Sequence, residues 1–200
     1  MTTFAGSLLE AIPKLKLDGR SIGFVVVDEQ STPETPTKGE LGAFEKNEAE
    51  VTAAQNKLIE FATRFNFPVW FVEIASTGGS KPTRADLREL APKNLCVVPK
   101  TAMNPFTSSN LFEELKNAKI DTIVLLGFQV NCCVRMTAVG GDPGPFSKGK
   151  PSGNALQQGA TALGFQVLTC QQVLRGQNTD GDIFSANWKN EDNVRFYSSL

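Results

Sequence analysis

Five short stretches of the chain are apolar almost without interruption: Ser21–Val27, Phe67–Ile74, Leu95–Val98, Thr122–Leu126 and Gly164–Thr169. Runs of this length, rich in β-branched and aromatic residues, read as strands buried on both faces. A sixth, Asn193–Ser198, reads as a last strand or an outlying arm. Between the strands, apolar residues recur at helical spacing. Val51, Leu58, Phe61, Ala62 and Phe65 mark a helix over Asn47–Asn66. Shorter helices are predicted over Phe4–Leu15, interrupted near Pro13, and over Ser108–Ala118 with Ser108 or Ser109 as its cap, and a short helix or turn over Arg84–Leu90. One more is predicted over Asn154–Leu163, with Gly159 its weak point. Residues 140–153 (GGDPGPFSKGKPSG) are dense in Gly and Pro and are expected to form an irregular loop insertion. Strands alternating with helices predict a three-layer, doubly wound, Rossmann-like α/β fold, with a mostly parallel sheet and helices on both faces. Two hundred residues fit a single domain spanning 1–200.

In such sheets ligands bind beyond the carboxyl ends of the strands, and three strands end on residues with chemistry. The first closes on Asp28, the third on Lys100, and the run Thr122–Leu126 breaks at Gly127 and leads to Asn131, Cys132 and Cys133. Asn131 suits the N-cap of a helix. A cysteine on that first turn is either a small core residue or a nucleophile whose thiolate is stabilised by outward-pointing N–H groups. Asp28 alone reads equally as a turn former, and Lys100 alone as a solvated edge residue. All three fall on one rim, and that convergence favours chemistry.

Composition narrows the chemistry. The net charge of −1 suggests no nucleic-acid footprint, and no apolar run approaches the length of a membrane span. The N-terminus lacks a basic region followed by an apolar one, so a soluble, cytoplasmic protein is expected. Four cysteines occur, at 96, 132, 133 and 170, without C-x-x-C spacing, and no metal or other cofactor is expected. There is no histidine. That removes Ser-His-Asp and Cys-His mechanisms. A nucleophilic Cys133 would need a carboxylate or a lysine as its base.

With these residues in place, the chain resembles the isochorismatase-like cysteine hydrolases, a superfamily that includes nicotinamidase, N-carbamoylsarcosine amidase, ureidoacrylate amidase and isochorismatase. Three motifs carry the resemblance. Val26-Val27-Asp28-Glu29-Gln30 matches a strand ending in Asp-x-Gln. Lys100, trailed by Phe106, Ser109 and Leu111, matches the lysine motif. Gly127 through Ala138 matches Gly-x-x-Thr-Asn-x-Cys-Val-x-x-Thr-Ala, with Val130 in place of the first Thr. The resemblance implies a catalytic triad of Cys133, Asp28 and Lys100. It also implies a cis peptide between Phe128 and Gln129, and an oxyanion hole made by the N–H groups of Gln129 and Cys133. Gln30 and Phe106 are candidates for contact with a small-molecule substrate. Family members assemble as dimers or tetramers, so a homo-oligomer is implied, with Trp188–Leu200 as one candidate contact.

The departures bear on the substrate. Nicotinamidase places an Asp and histidines as metal ligands near the second strand. Here that region reads Glu73-Ile74-Ala75-Ser76, so a metal-dependent nicotinamidase is not expected. Asn104-Pro105 replaces the Ser-Ala after the lysine. The expected activity is hydrolysis of an amide or carbamoyl C–N bond through an acyl-enzyme. Two alternatives stand beside it: a vinyl-ether hydrolase of the isochorismatase kind, with Asp28 as acid, and a weakly active or non-catalytic oligomeric interaction protein.

Overall fold

The computed structural model describes residues 4–30, 48–75, 81–141, 157–176, 188 and 192–200. In chain order the elements are β1 (Phe4–Ser7), α1 (Leu8–Leu17), β2 (Ile22–Val27), α2 (Glu48–Arg64), β3 (Val69–Ile74), α3 (Ala85–Leu90), β4 (Cys96–Lys100), α4 (Pro105–Ser108), α5 (Leu111–Asn117) and β5 (Thr122–Phe128). A π-helical turn (Val130–Val134) leads into α6 (Arg135–Ala138). Then come β6 (Gly140–Gly141), β7 (Gln157–Gln158), β8 (Gln166–Cys170), a 3-10 turn (Gln171–Val173), β9 (Leu174–Arg175) and β10 (Val194–Ser199).

Seven strands form one parallel sheet in the order β1-β10-β8-β5-β2-β3-β4, and β9 pairs with the end of β5. The apolar runs explain the order. All of β2 is buried, as is β5 up to Phe128, which requires cover on both faces and puts these strands in the middle. β4 alternates, with Val98 and Lys100 buried and Val97 and Pro99 exposed, as an edge strand does. The chain starts the central part of the sheet at β2 and winds outward through β3 to β4. It then crosses back to β5 on the other side of β2. The boundary between β2 and β5 is therefore the switch point, where connections diverge and leave a crevice at the carboxyl ends.

Several elements differ from the sequence expectation. Phe4–Ser7 is a strand because it pairs with β10, with Phe4 opposite Tyr197. The helix starts at Leu8 and runs through Pro13 to Leu17. The predicted helix over Ser108–Ala118 is two helices. Asn104 accepts a hydrogen bond from the Phe106 N–H and so starts α4 at Pro105, while Ser109 is extended and separates α4 from α5. The N-cap position of α5 is Asn110, which makes no side-chain cap bond; the Ser109 hydroxyl oxygen accepts from the Leu111 N–H at 3.2 Å instead, so Ser109, and not Ser108, supplies the capping side chain.

No helix forms within the described part of Asn154–Leu163. Gln157–Gln158 is a strand antiparallel to Gly140–Gly141, so the expected loop insertion begins with two paired residues. At Gly159 a Cβ would lie 2.2 Å from the Gly140 nitrogen and 2.4 Å from the Val139 carbonyl carbon, so only glycine permits this close approach. The remainder of that insertion lies outside the described residues. Finally, Val194–Ser199 is no outlying arm. β10 lies between β1 and β8 and pairs with both, and Trp188 is buried.

Candidate active site

Asp28 follows β2 directly, with a left-handed backbone (φ 54) that only Asn, Asp and Gly adopt readily. Its N–H donates to the Val72 carbonyl, which fixes the residue against β3. Lys100 is the last residue of β4, opposite Ile74, and its side chain is fully buried. Its Nζ lies 2.8 Å from Asp28 Oδ2 and donates to the carbonyls of Ala102 (3.2 Å) and Met103 (3.4 Å). An ammonium has three donors and no acceptor, and here three acceptors surround it. The reading of Lys100 as a solvated edge residue is thus excluded by its burial.

Cys133 reaches the same point from β5. Gly127 sits beside Val27 at φ 135, and a Cβ there would lie 2.1 Å from the Val27 carbonyl oxygen. This close approach brings the end of β5 against the residue before Asp28. The Phe128–Gln129 peptide is cis, and the π-helical turn follows, with Gln129 in the N-cap position. Asn131 lies inside the turn and is not its cap. The Gln129 carbonyl accepts from the N–H groups of Cys132 and Val134, and the Thr137 hydroxyl donates to the Cys133 carbonyl at 2.7 Å. The Cys133 side chain there comes within interaction range of both Asp28 and Lys100.

The electrostatics correct one expectation. A helix N-terminus by itself would favour a thiolate, but the Cys133 thiol is pushed up to about 12, first by burial and then by the Asp28 carboxylate, with Lys100 opposing. Burial also raises the Asp28 carboxyl above its ordinary value, and Lys100 and Cys133 pull it back. The resting Cys133 is therefore a thiol, set beside Asp28 and Lys100. Asp28 is the carboxyl group within reach of that thiol.

Gln30 and Phe106 have structural partners. The Gln30 amide donates to the carbonyls of Ile74 (3.0 Å) and Lys81 (2.6 Å) and accepts from the Ile74 N–H, so it stitches the exit of β2 to β3. The half-buried Phe106 ring stacks on Phe165, with centroids 6.1 Å apart. Residues 31–47 and 76–80, which follow the exits of β2 and β3, lie outside the described residues.

The residues around Glu73 do not fit a metal ion. Its carboxylate accepts from the Thr83 N–H (2.7 Å) and hydroxyl (2.8 Å) and pairs with Arg88 at 3.4 Å. Among the described residues no three or more His, Cys, Asp or Glu side chains are grouped to hold a metal.

Two features escaped the sequence reading. Asn104 is fully buried and organises the turn after Lys100, which the dipeptide Asn-Pro, a cap followed by a first-turn proline, could have signalled. Glu29, beside Asp28, is buried and binds Gln55 (2.7 Å), Arg175 (3.4 Å) and Arg84 (3.6 Å). No short-range pattern announces partners so far apart in the chain.

A doubly wound parallel sheet thus gathers a cysteine, a carboxylate and a lysine at its switch point. Residues 24–141 match the model of the isochorismatase domain, and the chain belongs to the isochorismatase family of hydrolases. Solved structures share the fold at low identity. The nicotinamidase from Staphylococcus aureus is 17% identical with a TM-score of 0.66, over 90% of this chain and 99% of that one. The N-carbamoylsarcosine amidase from Thermoplasma acidophilum is 18% identical with a TM-score of 0.59, over 88% and 95%. A ribonuclease from Caenorhabditis elegans is 18% identical with a TM-score of 0.62, over 90% and 77%. No curated protein matches the chain in sequence. No helix among the described residues is long and apolar enough to cross a membrane.

Proposed function

We propose that the chain is a cysteine hydrolase that cleaves an amide or carbamoyl C–N bond of a small molecule through Cys133, Asp28 and Lys100. The observation that carries this reading is the buried contact of Lys100 with Asp28 at 2.8 Å, with the Cys133 thiol beside both. Asp28 takes the thiol proton as Sγ attacks the carbonyl carbon. The oxyanion lies against the N–H groups of Gln129 and Cys133. When the C–N bond breaks, Asp28 passes its proton to the departing nitrogen and a thioester remains. Water then gives a proton to Asp28 and its oxygen to the carbonyl carbon. The acid leaves, and the proton returns to Sγ. Lys100 pulls the Asp28 carboxyl down against the effect of burial and holds it in place.

The raised carboxyl of Asp28 favours a second reading, in which Asp28 donates a proton to a vinyl ether and Cys133 takes no covalent part. One experiment separates them. A panel of small amides, carbamoyl compounds and vinyl ethers is assayed with wild type, Cys133→Ala and Asp28→Asn. The amidase reading expects both variants to lose turnover and a Cys133 thioester to be trapped and seen by mass spectrometry. Ether cleavage that survives Cys133→Ala and fails in Asp28→Asn would replace it. No turnover of any class would leave the interaction protein. Assembly as a dimer or tetramer belongs to the same reading, and light scattering at the mass of a monomer would remove it.

A further inference from the structure

The site depends on the direction of a lysine whose own partners are mostly backbone. Two of the three acceptors around Lys100 Nζ are the carbonyls of Ala102 and Met103. They belong to the turn between β4 and α4, so the ammonium stays aimed at Asp28 only while that turn keeps its shape. Ala102 is exposed, and no core packing holds it. Its N–H instead donates to Ser108 Oγ (3.2 Å), and the Ser108 hydroxyl donates to the Asn104 carbonyl (2.8 Å). One side chain thus closes the turn from both ends.

Asn104, fully buried, anchors the far side. Its Oδ1 accepts from the Phe106 N–H (3.0 Å), and its Nδ2 donates to the Gln158 carbonyl of β7 (2.9 Å). The Thr107 hydroxyl reaches the same Asn104 carbonyl at 3.2 Å but makes no described bond to Ala102. Thr107 therefore shares the local structure without closing the turn.

From this geometry we infer that Ser108, braced by Asn104, is a positioning residue for the catalytic lysine: it fixes the carbonyl cradle that aims Lys100 at Asp28. The inference rests on the triad reading above. The charged and titratable groups that face Asp28 are Lys100 from β4 and Cys133 from the turn after β5. Lys100 is the stronger of the two in lowering the Asp28 carboxyl. Loosening Lys100 must therefore let that carboxyl rise further, which a merely structural role would not do.

The test follows alkylation of Cys133 by iodoacetamide across pH, resolved from the other cysteines by peptide mass spectrometry, with circular dichroism to verify folding. In wild type, an acid edge is expected where Asp28 ionises and begins to accept the thiol proton. Asp28→Asn should lose that edge; if the edge persists there, the triad reading falls, and this inference with it. In Ser108→Ala the edge should move to higher pH, by about threefold or more in proton concentration, with slower alkylation above it. Ser108→Gly, a second variant without the hydroxyl, should move it the same way. Ser108→Thr should restore the wild-type edge, and Thr107→Ala should leave it in place. A Ser108→Ala profile that overlays wild type, or a Thr107→Ala profile that moves equally, overturns the positioning role while the triad reading stands.

Discussion

Lys100 Nζ and Asp28 Oδ2 lie 2.8 Å apart, although their strands are not neighbours: β3 separates β2 from β4 in the sheet. The pair closes across the end of β3, where Lys100 stands opposite Ile74 and is wholly removed from water. Burial raises the Asp28 carboxyl, and Lys100 is the largest influence lowering it. Lys100→Met removes that influence, so the folded chain binds a proton at Asp28 more tightly than before. Unfolded, Asp28 titrates near 3.8. Between that value and the raised one the folded state holds the extra proton, so stability falls as pH rises through the window. Each tenfold change in proton affinity is worth about 1.4 kcal/mol. Urea denaturation of Lys100→Met from pH 4 to pH 8 is expected to show a steeper decline than wild type, and parallel curves would refute it.

Asp28 acts on Cys133 in two opposite ways, and Asp28→Asn separates them. In the proposed mechanism the carboxylate is the base, yet its charge also helps hold the thiol up near 12. Removing the charge should lower the thiol while Lys100 continues to favour the thiolate. Cys133 in Asp28→Asn is therefore expected to alkylate faster than wild type at pH 9–10, by about tenfold, while turnover falls by about a hundredfold or more. A thiolate absorbance titration near 240 nm checks the first half independently. A thiol that titrates as in wild type would show that burial alone sets it.

How much of this was legible in the sequence follows from the range of each interaction. The buried strands could be read because β2 and β5 are covered on both faces, so their residues are apolar regardless of partner. Asp28, Lys100 and Cys133 could be placed on one rim because each follows a strand and the strands are parallel. What could not be read depends on contacts between distant segments. Phe4–Ser7 is a strand only because β10 lies beside it. The thiol of Cys133 is raised by burial and by Asp28, which outweigh the local helix-start effect visible in the sequence. Glu29 looks like a surface residue until Gln55, Arg84 and Arg175 converge on it.

Gly127 is the tightest point between the two halves of the site. A methyl group there would lie 2.1 Å from the Val27 carbonyl oxygen, and the backbone is at φ 135, a conformation an alanine adopts only under strain. Gly127→Ala must therefore push β5 away from β2 just before Asp28 on one side and the cis peptide on the other. The expected loss is about 3 kcal/mol or more, from strain and overpacking together. Circular dichroism melting should show it as a large drop in Tm, with alkylation of Cys133 losing its dependence on Asp28. A Tm within a degree or two of wild type would mean that the two strands are free to part.

Arg84 faces two carboxylates, and they should differ sharply in importance. Glu29 is buried, and besides Arg84 at 3.6 Å it holds Arg175 at 3.4 Å and Gln55 at 2.7 Å. Asp86 lies 3.5 Å from the same guanidinium but is more than one-third exposed. Water competes for Asp86 and screens it, so Asp86→Asn is expected to change stability by less than about 1 kcal/mol. Glu29→Gln keeps the shape but leaves two largely buried guanidiniums without the charge between them, and the expected loss is about 3–5 kcal/mol. Because Glu29 directly follows Asp28, the same change should loosen the exit of β2, and hydrogen exchange at the Asp28 amide should rise with it. Equal effects of the two substitutions in urea denaturation would mean that the cluster is held by its packing and by the Gln55 bonds, not by charge.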